Sequence, residues 1–508
     1  MLPIKAEEKP KIIWEPLPGS QMLSLISPAQ IILYHGSRGP GKTDAQLMRF
    51  RRHVGQGFGR HWRGVIFDRE YKNLDDLVSK SMRWFPEFGD KCKFLASKSD
   101  YKWVWPTGEE LLFRAVKKDT DYWSYHGQEF PFIGWNELTK FPTDNLFEQM
   151  LSCNRSSFLP DLNDPENPGE IPLLVFATCN PSGAGHNWVK RRFIKVSPPG
   201  AIVKRRVNVF NPRTQKREDV LKTQTHLFGS YKENKYLAPE YIAELESITD
   251  PNKKKAWLGG SWDVVAGGMF DDVWTHNVHV ISPFEIPPSW KINRSFDYGK
   301  SKPFSVGWWA ESPGGDVLLP DKTCRRTVKG DLFRIGEWYG CDENKSNKGL
   351  NLLASEIAAG IIEREISMGI HMRVVPGPAD NAIWSVDDGN CIAVNMARPV
   401  MIDGVGFRGV SWTRSDKSPG SRKAGWEKIK KYLKAAIPDI TGNRREPGLF
   451  VFNTCKSFIS TFPVLPRDED DLDDVDSDAE DHIGDETRYR VLNSYSIVRS
   501  GKTKGLGG

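Results

Sequence analysis

The sequence lacks the long apolar runs that membrane-spanning segments require. No hydrophobic stretch among its 508 residues approaches the length of about 20 residues that crosses a bilayer. The first ten residues, MLPIKAEEKP, lack the apolar core of a signal peptide. Cysteine is also scarce, with seven residues and no C-x-x-C pair. An odd number of scattered cysteines disfavours a disulfide or zinc framework and indicates reduced thiols in a cytosol.

Length and charge restrict the possibilities further. A chain of this length is too long for one ordinary hydrophobic core, so two or three domains are expected. The formal net charge is +6, although ten acidic residues crowd between Asp468 and Asp481. The remainder of the chain is therefore more basic than the total suggests. A basic body is compatible with a nucleic-acid partner but does not establish one.

The most informative stretch is GSRGPGKT at residues 36–43, which follows the apolar run Ile31 to Leu33. It matches G-x-x-x-x-G-K-[ST] between a strand and a helix, the setting of a phosphate-binding loop. Glycines let successive backbone N–H groups point at one anion, the lysine reaches the β- and γ-phosphates, and the threonine hydroxyl can ligate Mg²⁺. The ATP-binding candidates are Gly36, Ser37, Arg38, Gly39, Gly41, Lys42 and Thr43.

Residues from three further segments belong with this loop. Gln21 lies shortly upstream and could read the edge of adenine with its paired donor and acceptor, or could simply be a surface glutamine. The apolar strand before Asn136 and Glu137 ends in a carboxylate, as expected for the general base that aligns the attacking water. A third strand, residues 171–177, runs into Thr178, Cys179 and Asn180, whose polar groups can sense the γ-phosphate.

The second half predicts a different arrangement. Strands at residues 304–310, 316–319 and 333–339 fit an antiparallel meander, and a helix around 350–368 follows. A later strand at 448–452 and a final helix complete a ribonuclease H layout. Asp297 and Asp380 end strands, and Asp485 lies on the final helix. Converging carboxylates of this kind can hold two Mg²⁺ or Mn²⁺ ions, although each aspartate alone would be a capping or surface residue.

These motifs occur together, in the same order, in a known family. The chain resembles the large subunit of the tailed-phage DNA-packaging terminase over most of residues 20 to 495. The resemblance rests on GSRGPGKT, YHGQEFPFIGWNELT, ATCNPSG followed by NWVKRRF, LGGSWD, SFDYG, PGPADNAIW, SPGSRKAGW and EDHIGDETRY.

The resemblance implies a fold and a set of domains. The fold class is α/β, with an N-terminal P-loop NTPase domain built on a mainly parallel sheet and a C-terminal ribonuclease H-like nuclease domain. The expected ranges are an ATPase motor at 1–275, a linker at 276–289 that includes a proline-rich segment, a nuclease at 290–495 and a flexible tail at 496–508.

The resemblance also implies residue roles. Gln21 becomes an adenine contact, Arg38 a charge-stabilising arginine, Glu137 the catalytic glutamate, and Thr178 to Asn180 the coupling motif. Asn136 stands where the family usually has the Asp of the Mg²⁺ shell, so Asn136→Asp is expected to be tolerated. Asp297, Asp380 and Asp485 correspond to the nuclease carboxylates. Asp481, one helical turn before Asp485, is the alternate third ligand or only a helix cap.

The implied activity is ATP-driven translocation of double-stranded DNA joined to metal-dependent cutting of concatemers. ATP and Mg²⁺ are the implied cofactors, with Mn²⁺ possible at the nuclease site. The implied partners are viral double-stranded DNA, a small terminase subunit and the portal protein of a procapsid, with the chain in a pentamer while docked. The implied location is the bacterial host cytoplasm, transiently at the portal, and not the mature virion.

Two enzymatic alternatives remain open at this point. A ribonuclease H-type resolvase or transposase would account for the second half but not for the phosphate loop. A helicase-like remodelling ATPase would account for the first half but not for the carboxylates. A purely structural adaptor would account for neither. ATPase assays and plasmid cleavage with added Mg²⁺ or Mn²⁺ separate these classes.

Overall fold

The structure, a computed structural model, divides the chain into two compact units, Met1–Gly268 and Met269–Gly508. No helix within its described ranges is long and apolar enough to cross a bilayer. The described residues are 12–97, 99–161, 168–212, 214–249, 251–263, 267–342, 347–387, 390–468 and 470–493. The predicted tail, residues 496–508, lies outside them.

The first unit is built on a nine-stranded sheet in the order β3-β4-β5-β2-β6-β7-β1-β9-β8. The pairs from β5 to β9 are parallel, and antiparallel pairs flank them at both edges. The expectation of a mainly parallel sheet is confirmed. The strands are β1 Ile31–Gly36, β2 Arg63–Asp68, β3 Lys93–Leu95, β4 Lys102–Val104, β5 Glu110–Ala115, β6 Phe132–Trp135, β7 Leu174–Cys179, β8 Val203–Asn211 and β9 Lys216–Gly229.

Both faces of this sheet are buried. Successive residues of one strand enter different apolar clusters, with Ile32 and Tyr34 in one cluster and Leu33 in the other. This double burial is why the central strands read as continuous apolar runs. The α-helices of the unit are α1 Ser20–Ile26, α2 Lys42–Arg51, α3 Tyr71–Trp84, α4 Asn145–Met150, α5 His186–Val189, α6 Pro239–Glu246 and α7 Pro251–Trp257.

The second unit contains a sheet in the order β10-β23-β15-β12-β11-β17-β22, with β16 also paired to β11. Strands β11, β12 and β15 form the antiparallel meander, and β17 lies parallel to β11 on its other side. The strands are β10 Val280–Ile281, β11 Lys291–Asp297, β12 Ser305–Glu311, β13 Gly315–Leu318, β14 Cys324–Thr327, β15 Leu332–Tyr339, β16 Val374–Val375, β17 Pro378–Ala379, β18 Val386–Asp387, β19 Asn390–Cys391, β20 Val400–Ile402, β21 Val405–Phe407, β22 Thr413–Arg414 and β23 Leu449–Phe452.

One strand of the predicted meander lies outside the main sheet, and the strand predicted at 448–452 is present. The segment predicted at 316–319 forms β13, which pairs only with β14 in a separate hairpin. The strand predicted at 448–452 forms β23, which lies beside β15. The strand that extends the sheet beyond β17 is β22, only two residues long. A strand so short has too few side chains to produce a period-two pattern.

The helices of the second unit pack against this sheet around one large apolar cluster. A buried ion pair between Arg334 of β15 and Glu486 also lies there, and Glu486 accepts further hydrogen bonds from Ser295 and Trp309. Extra hydrogen bonds of this kind offset part of the desolvation cost of the two charges. The helices are α8 His276–His279, α9 Ala354–Ser367, α10 Ile392–Met396, α11 Ser421–Ala436, α12 Lys456–Thr461 and α13 His482–Leu492.

The boundary between the units falls after Gly268, so residues 269–275 and the predicted linker 276–289 lie in the second unit. Phe270 and Phe284 are buried in its core, and β10 pairs with β23. Proline-rich composition indicated a linker, but Phe284 and Ile286 of this segment are buried in the core of the second unit.

A hydrogen-bonded chain of rings lies beneath the end of β1. Trp262 Nε1–H donates to His35 Nδ1 at 3.1 Å, so the His35 proton lies on Nε2 and is donated to His226 Nδ1 at 2.9 Å. His226 Nε2–H donates to the Ser197 carbonyl at 2.8 Å. Burial, and then the His226 and Lys42 charges, lower the pKa of His35 to about 3.

This burial predicts that acid destabilises the first unit. The folded-state pKa of His35 is below its unfolded value, so the stabilisation is full above about pH 6.5 and is lost as pH falls toward 3. Below pH 6, one such ring lowers the free energy of unfolding by about 1.4 kcal/mol for each unit by which the pH falls. The free energy of unfolding, measured with urea, should therefore decrease less from pH 7 to pH 5 in His35→Gln than in the parent chain. His126→Gln, at an exposed ring, is the control. An equal pH dependence of the unfolding free energy in the His35→Gln and parent chains would contradict the prediction.

Candidate active sites

The phosphate loop joins β1 to α2 through three glycines with positive φ, at Gly36, Gly39 and Gly41. A Cβ on Gly36 would lie 2.2 Å from the Gly229 carbonyl oxygen, and one on Gly41 would lie 2.3 Å from Gln21 Nε2. Glycine is required at both positions by conformation and by space. Thr43 lies in the first turn of α2, where helix N–H groups face an anion.

A segment after β9, which the sequence analysis did not identify, fixes the loop from outside. The backbone N–H of Ser37 donates to the Gly229 carbonyl at 2.9 Å, and Tyr231 N–H donates to Ser37 Oγ at 2.6 Å. Asn234 Nδ2 donates to the Gly39 carbonyl at 2.7 Å. The parallel pairing of β9 with β1 brings this segment here, and no motif in the sequence indicates that pairing.

Lys42, Glu137 and Asn180 meet at the carboxyl ends of the central strands. Lys42 Nζ donates to the Ser37 carbonyl at 2.7 Å and to Asn180 Oδ1 at 2.8 Å. Asn180 in turn donates from its backbone N–H to Glu137 Oε2 at 3.1 Å. Burial lowers the pKa of Lys42, and the negative charge of Glu137 opposes that effect. Asn180 thus connects Glu137, the expected base, to Lys42, which is expected to bind phosphate.

Asn136 is also placed at this edge, and its amide contacts a carboxylate that the sequence analysis missed. Asn136 Nδ2 donates to Asp68 Oδ2 at 2.8 Å. Asp68 ends β2, the strand adjacent to β6, and its side chain is fully buried. An aspartate at the carboxyl end of an apolar strand was the available signal, and it was not used. Thr178 Oγ1 lies 3.5 Å from Asn136 Oδ1, and Cys179 is buried, with its thiol pKa raised by burial.

Gln21 joins the phosphate loop to the segment before α1 through its two amide atoms. Its Oε1 accepts from Leu17 N–H at 2.6 Å, and its Nε2 donates to the Gly41 carbonyl at 2.9 Å. The side chain is only 3 % exposed. The same residue lines a cavity of about 600 Å³, together with Trp14, Trp84 and Tyr236. The adenine contact by Gln21 remains a prediction, and this cavity offers aromatic faces for a base.

Arg38 of the phosphate loop has its side chain against Trp257. Its guanidinium carbon lies 3.5 Å from the centroid of the Trp257 ring, a stacked cation–π contact. Its backbone N–H donates to the Trp257 carbonyl at 3.0 Å.

In the second unit, Asp297 and Asp380 end neighbouring parallel strands. Phe296 and Ala379 are paired in register, so the two aspartates are the next residues at one edge of the sheet. His482 Nδ1 lies 3.1 Å from Asp297 Oδ2, and Tyr489 donates to Asp297 Oδ1 at 3.3 Å. Helix α13 thus contacts the carboxylate at the end of β11.

The two candidates for the third carboxylate have different surroundings. Asp485 accepts from Arg422 Nη1 at 3.2 Å and from Arg488 Nε at 3.1 Å. Asp481 lies 3.5 Å from Arg422 Nη2 and makes no side-chain capping bond to α13. The interpretation of Asp481 as only a helix cap is therefore not supported.

Burial makes two of these carboxylates, Asp297 and Asp481, reluctant to ionise. The pKa of Asp297 is raised to about 6, mainly by burial and further by Asp485 and Asp380, and His482 opposes the shift. The pKa of Asp481 is raised to about 7 by burial and then by Asp485. Like charges gathered in a buried place favour a cation, and carboxylate oxygens suit Mg²⁺ or Mn²⁺. As the described side chains stand, however, no three acidic, histidine or cysteine groups are close enough to hold a metal ion.

Comparison with known proteins adds one family match. The family model described as the phage terminase large subunit matches residues 29–259. No curated protein matches the chain.

Among solved structures, the chain is similar to the large terminase of a thermophilic bacteriophage in complex with ADP, at 15 % identity over 93 % of this chain and 98 % of that one, with a TM-score of 0.36. It is also similar to the HK97 bacteriophage large terminase, at 9 % identity over 93 % of both chains, with a TM-score of 0.42. The P22 large terminase nuclease domain matches at 16 % identity over 45 % of this chain and 93 % of that one, with a TM-score of 0.30. The match shows that residues 29–259 are similar to the phage terminase large subunit family.

Proposed function

We propose that the chain is an ATP-driven double-stranded DNA translocase that packages a phage genome into a procapsid, and also an endonuclease that cuts concatemeric DNA. The observation that carries the proposal is the connection of Lys42 to Glu137 through Asn180 at a phosphate loop, within the residues 29–259 that match the phage terminase large subunit model. A rival resolvase would have no use for this connection.

In the motor, each residue has a separate role. The backbone of residues 36–41 and Lys42 bind the β- and γ-phosphates, and Thr43 and Asn136 would hold Mg²⁺, which neutralises phosphate charge when bound. Glu137 aligns and deprotonates the attacking water. Asn180 contacts both Lys42 and Glu137, so a change at the phosphate can reach the residues beyond β7. Arg38 leaves Trp257 to stabilise charge on the transferred phosphoryl group.

Lys42→Ala and Glu137→Gln should each reduce ATP turnover by about a hundredfold or more, because each removes a charge that acts in the transition state. Glu137→Gln should still bind ATP, since the phosphate contacts remain. Steady-state ATPase assays and nucleotide-binding titrations measure the two effects. Lys93→Ala, at an exposed position on β3, is the matched control. Parental turnover by Glu137→Gln would overturn the assignment of the base.

In the nuclease, Asp297, Asp380 and a third carboxylate on α13 would hold two Mg²⁺ or Mn²⁺ ions. Such ions stabilise charge on the attacking and leaving oxygens of the cut phosphodiester. We assign the third position to Asp485, which matches the family's final motif, with Asp481 as the alternate. The ribonuclease H-like order β15-β12-β11-β17-β22 supports this proposal, as do the raised pKa values of Asp297 and Asp481.

Asp297→Ala and Asp380→Ala should each reduce plasmid cleavage in Mn²⁺ by about a thousandfold, because a lost ligand removes several kcal/mol of charge stabilisation. ATPase activity should persist, since each activity is assigned to its own unit. DNA binding should also persist and weaken steeply with salt, because it rests on contacts between basic residues and phosphates. Asp321→Ala, at an exposed turn, is the control.

The same assay identifies the third ligand. Loss of cleavage in Asp485→Ala but not in Asp481→Ala supports the assignment, and the opposite result reverses it. Thermal melts verify folding of each variant. Unchanged cleavage by Asp297→Ala would exclude the nuclease activity proposed here.

The proposed partners follow from this activity. They are viral double-stranded DNA, a small terminase subunit that selects it, and the portal protein of the procapsid, on which the chain assembles as a pentamer. The proposed location is the bacterial cytoplasm until docking, and the mature virion does not retain the chain. Co-purification with portal-bearing procapsids tests the docking.

A further inference from the structure

The backbone at Glu137 is unusual. Its φ and ψ are 51° and 61°, the left-handed region that side chains other than glycine rarely adopt. A residue in such a conformation persists only where its surroundings hold it there. The turn that follows closes with Lys140 N–H donating to the Glu137 carbonyl at 2.9 Å.

Asp68 contacts the turn on both sides of Glu137. Asn136, which precedes Glu137, donates from Nδ2 to Asp68 Oδ2 at 2.8 Å. Lys140, after the turn, brings Nζ to 3.1 Å from the same oxygen. The adjacent Arg69 donates from Nη1 to the Lys140 carbonyl at 3.1 Å. The residues at the end of β2 therefore contact the chain both before and after Glu137.

The Asp68 carboxylate is itself fixed in place. Its side chain is completely buried, and its Oδ1 accepts from Asn73 Nδ2 at 3.1 Å and from Glu70 N–H at 3.3 Å. A buried carboxylate with this many donors is rigid, and removing its charge leaves those donors poorly satisfied.

We propose that Asp68 is a positioning residue of the ATPase centre, which holds Asn136 and Lys140 so that Glu137 keeps the conformation needed to meet Asn180. The inference rests on the proposed ATPase function. The buried carboxylate that the family usually has at position 136 lies here on the neighbouring strand, and Asn136 is its hydrogen-bond donor. The structure therefore leads to a different expectation for Asn136→Asp: two carboxylates would face each other in a buried place, and the variant should be impaired.

Four full-length variants test the pair. They are Asn136→Asp, Asp68→Asn, the exchange Asp68→Asn/Asn136→Asp, and Asn145→Asp as the matched control. Asn145 Nδ2 donates to Asp119 Oδ2 at 2.9 Å in an exposed amide–carboxylate pair, so the control makes the same chemical change in water. The measurements are the melting temperature without nucleotide, and kcat and KM for ATP in excess Mg²⁺.

Asn136→Asp should lower the melting temperature by about 5 °C, whereas the screened Asn145→Asp should change it by about 1 °C or less. Asp68→Asn should lower kcat by about tenfold while KM stays within about threefold, because the phosphate contacts are intact. The exchange variant restores one amide and one carboxylate, so it should recover most of both losses.

Three results would overturn the proposal: melting of Asn136→Asp like the control, additive losses in the exchange variant, or a parental kcat in Asp68→Asn. If the parent chain hydrolyses no ATP, the proposed function fails instead. The melting temperatures then still decide whether Asp68 and Asn136 form the coupled pair.

Discussion

The parallel alignment of β1, β7 and β6 is the constraint on which the motor site depends. Strands β7 and β6 are paired in register, and β1 lies on the other side of β7, so three strand ends meet at one edge of the sheet. One lysine, one asparagine and one glutamate from separate motifs consequently form a continuous hydrogen-bonded path. Burial on both faces fixes the positions of the strands, and the side chains at their ends are therefore held within hydrogen-bonding distance of one another.

The two units use buried charge differently. In the first unit, the buried carboxylate of Asp68 is satisfied by donors from three segments and acts on the backbone around it. In the second unit, several carboxylates lie close together, and burial raises the pKa values of Asp297 and Asp481 although His482 and Arg422 lie beside them. A buried carboxylate with several donors holds the backbone around it, whereas neighbouring carboxylates that repel one another favour a cation from outside.

The sequence was sufficient for the parts of the fold that have strong local patterns. The phosphate loop, the strands that end at Glu137 and Asn180, and the parallel sheet are all encoded by short motifs and apolar runs. Pairings between distant segments were not accessible in this way. The contact of Asn234 with the loop depends on the position of β9, and the place of β23 depends on tertiary packing that a short apolar run does not specify.

Individual side-chain roles were harder to predict than elements. The adenine contact of Gln21 stays a prediction, and its bonds to the Leu17 and Gly41 backbone are a role that the sequence did not indicate. Asn136 was considered alone, since nothing in the sequence indicates that β2 lies beside β6 and brings Asp68 to it. Both cases depend on a neighbour that is distant in sequence, which a single-sequence pattern cannot contain.

The close approach of Gly36 to Gly229 has a consequence for how the chain tolerates substitution. A Cβ on Gly229 would lie 2.9 Å from Pro40, and one on Gly260 would lie 2.8 Å from the Gly36 carbonyl carbon. Three glycines that are far apart in sequence therefore form one layer of contacting backbone beneath the nucleotide loop. A single added methyl group at residue 229 or 260 would therefore distort the phosphate loop. A defect in nucleotide binding can thus originate about two hundred residues away from the phosphate-loop motif at residues 36–43.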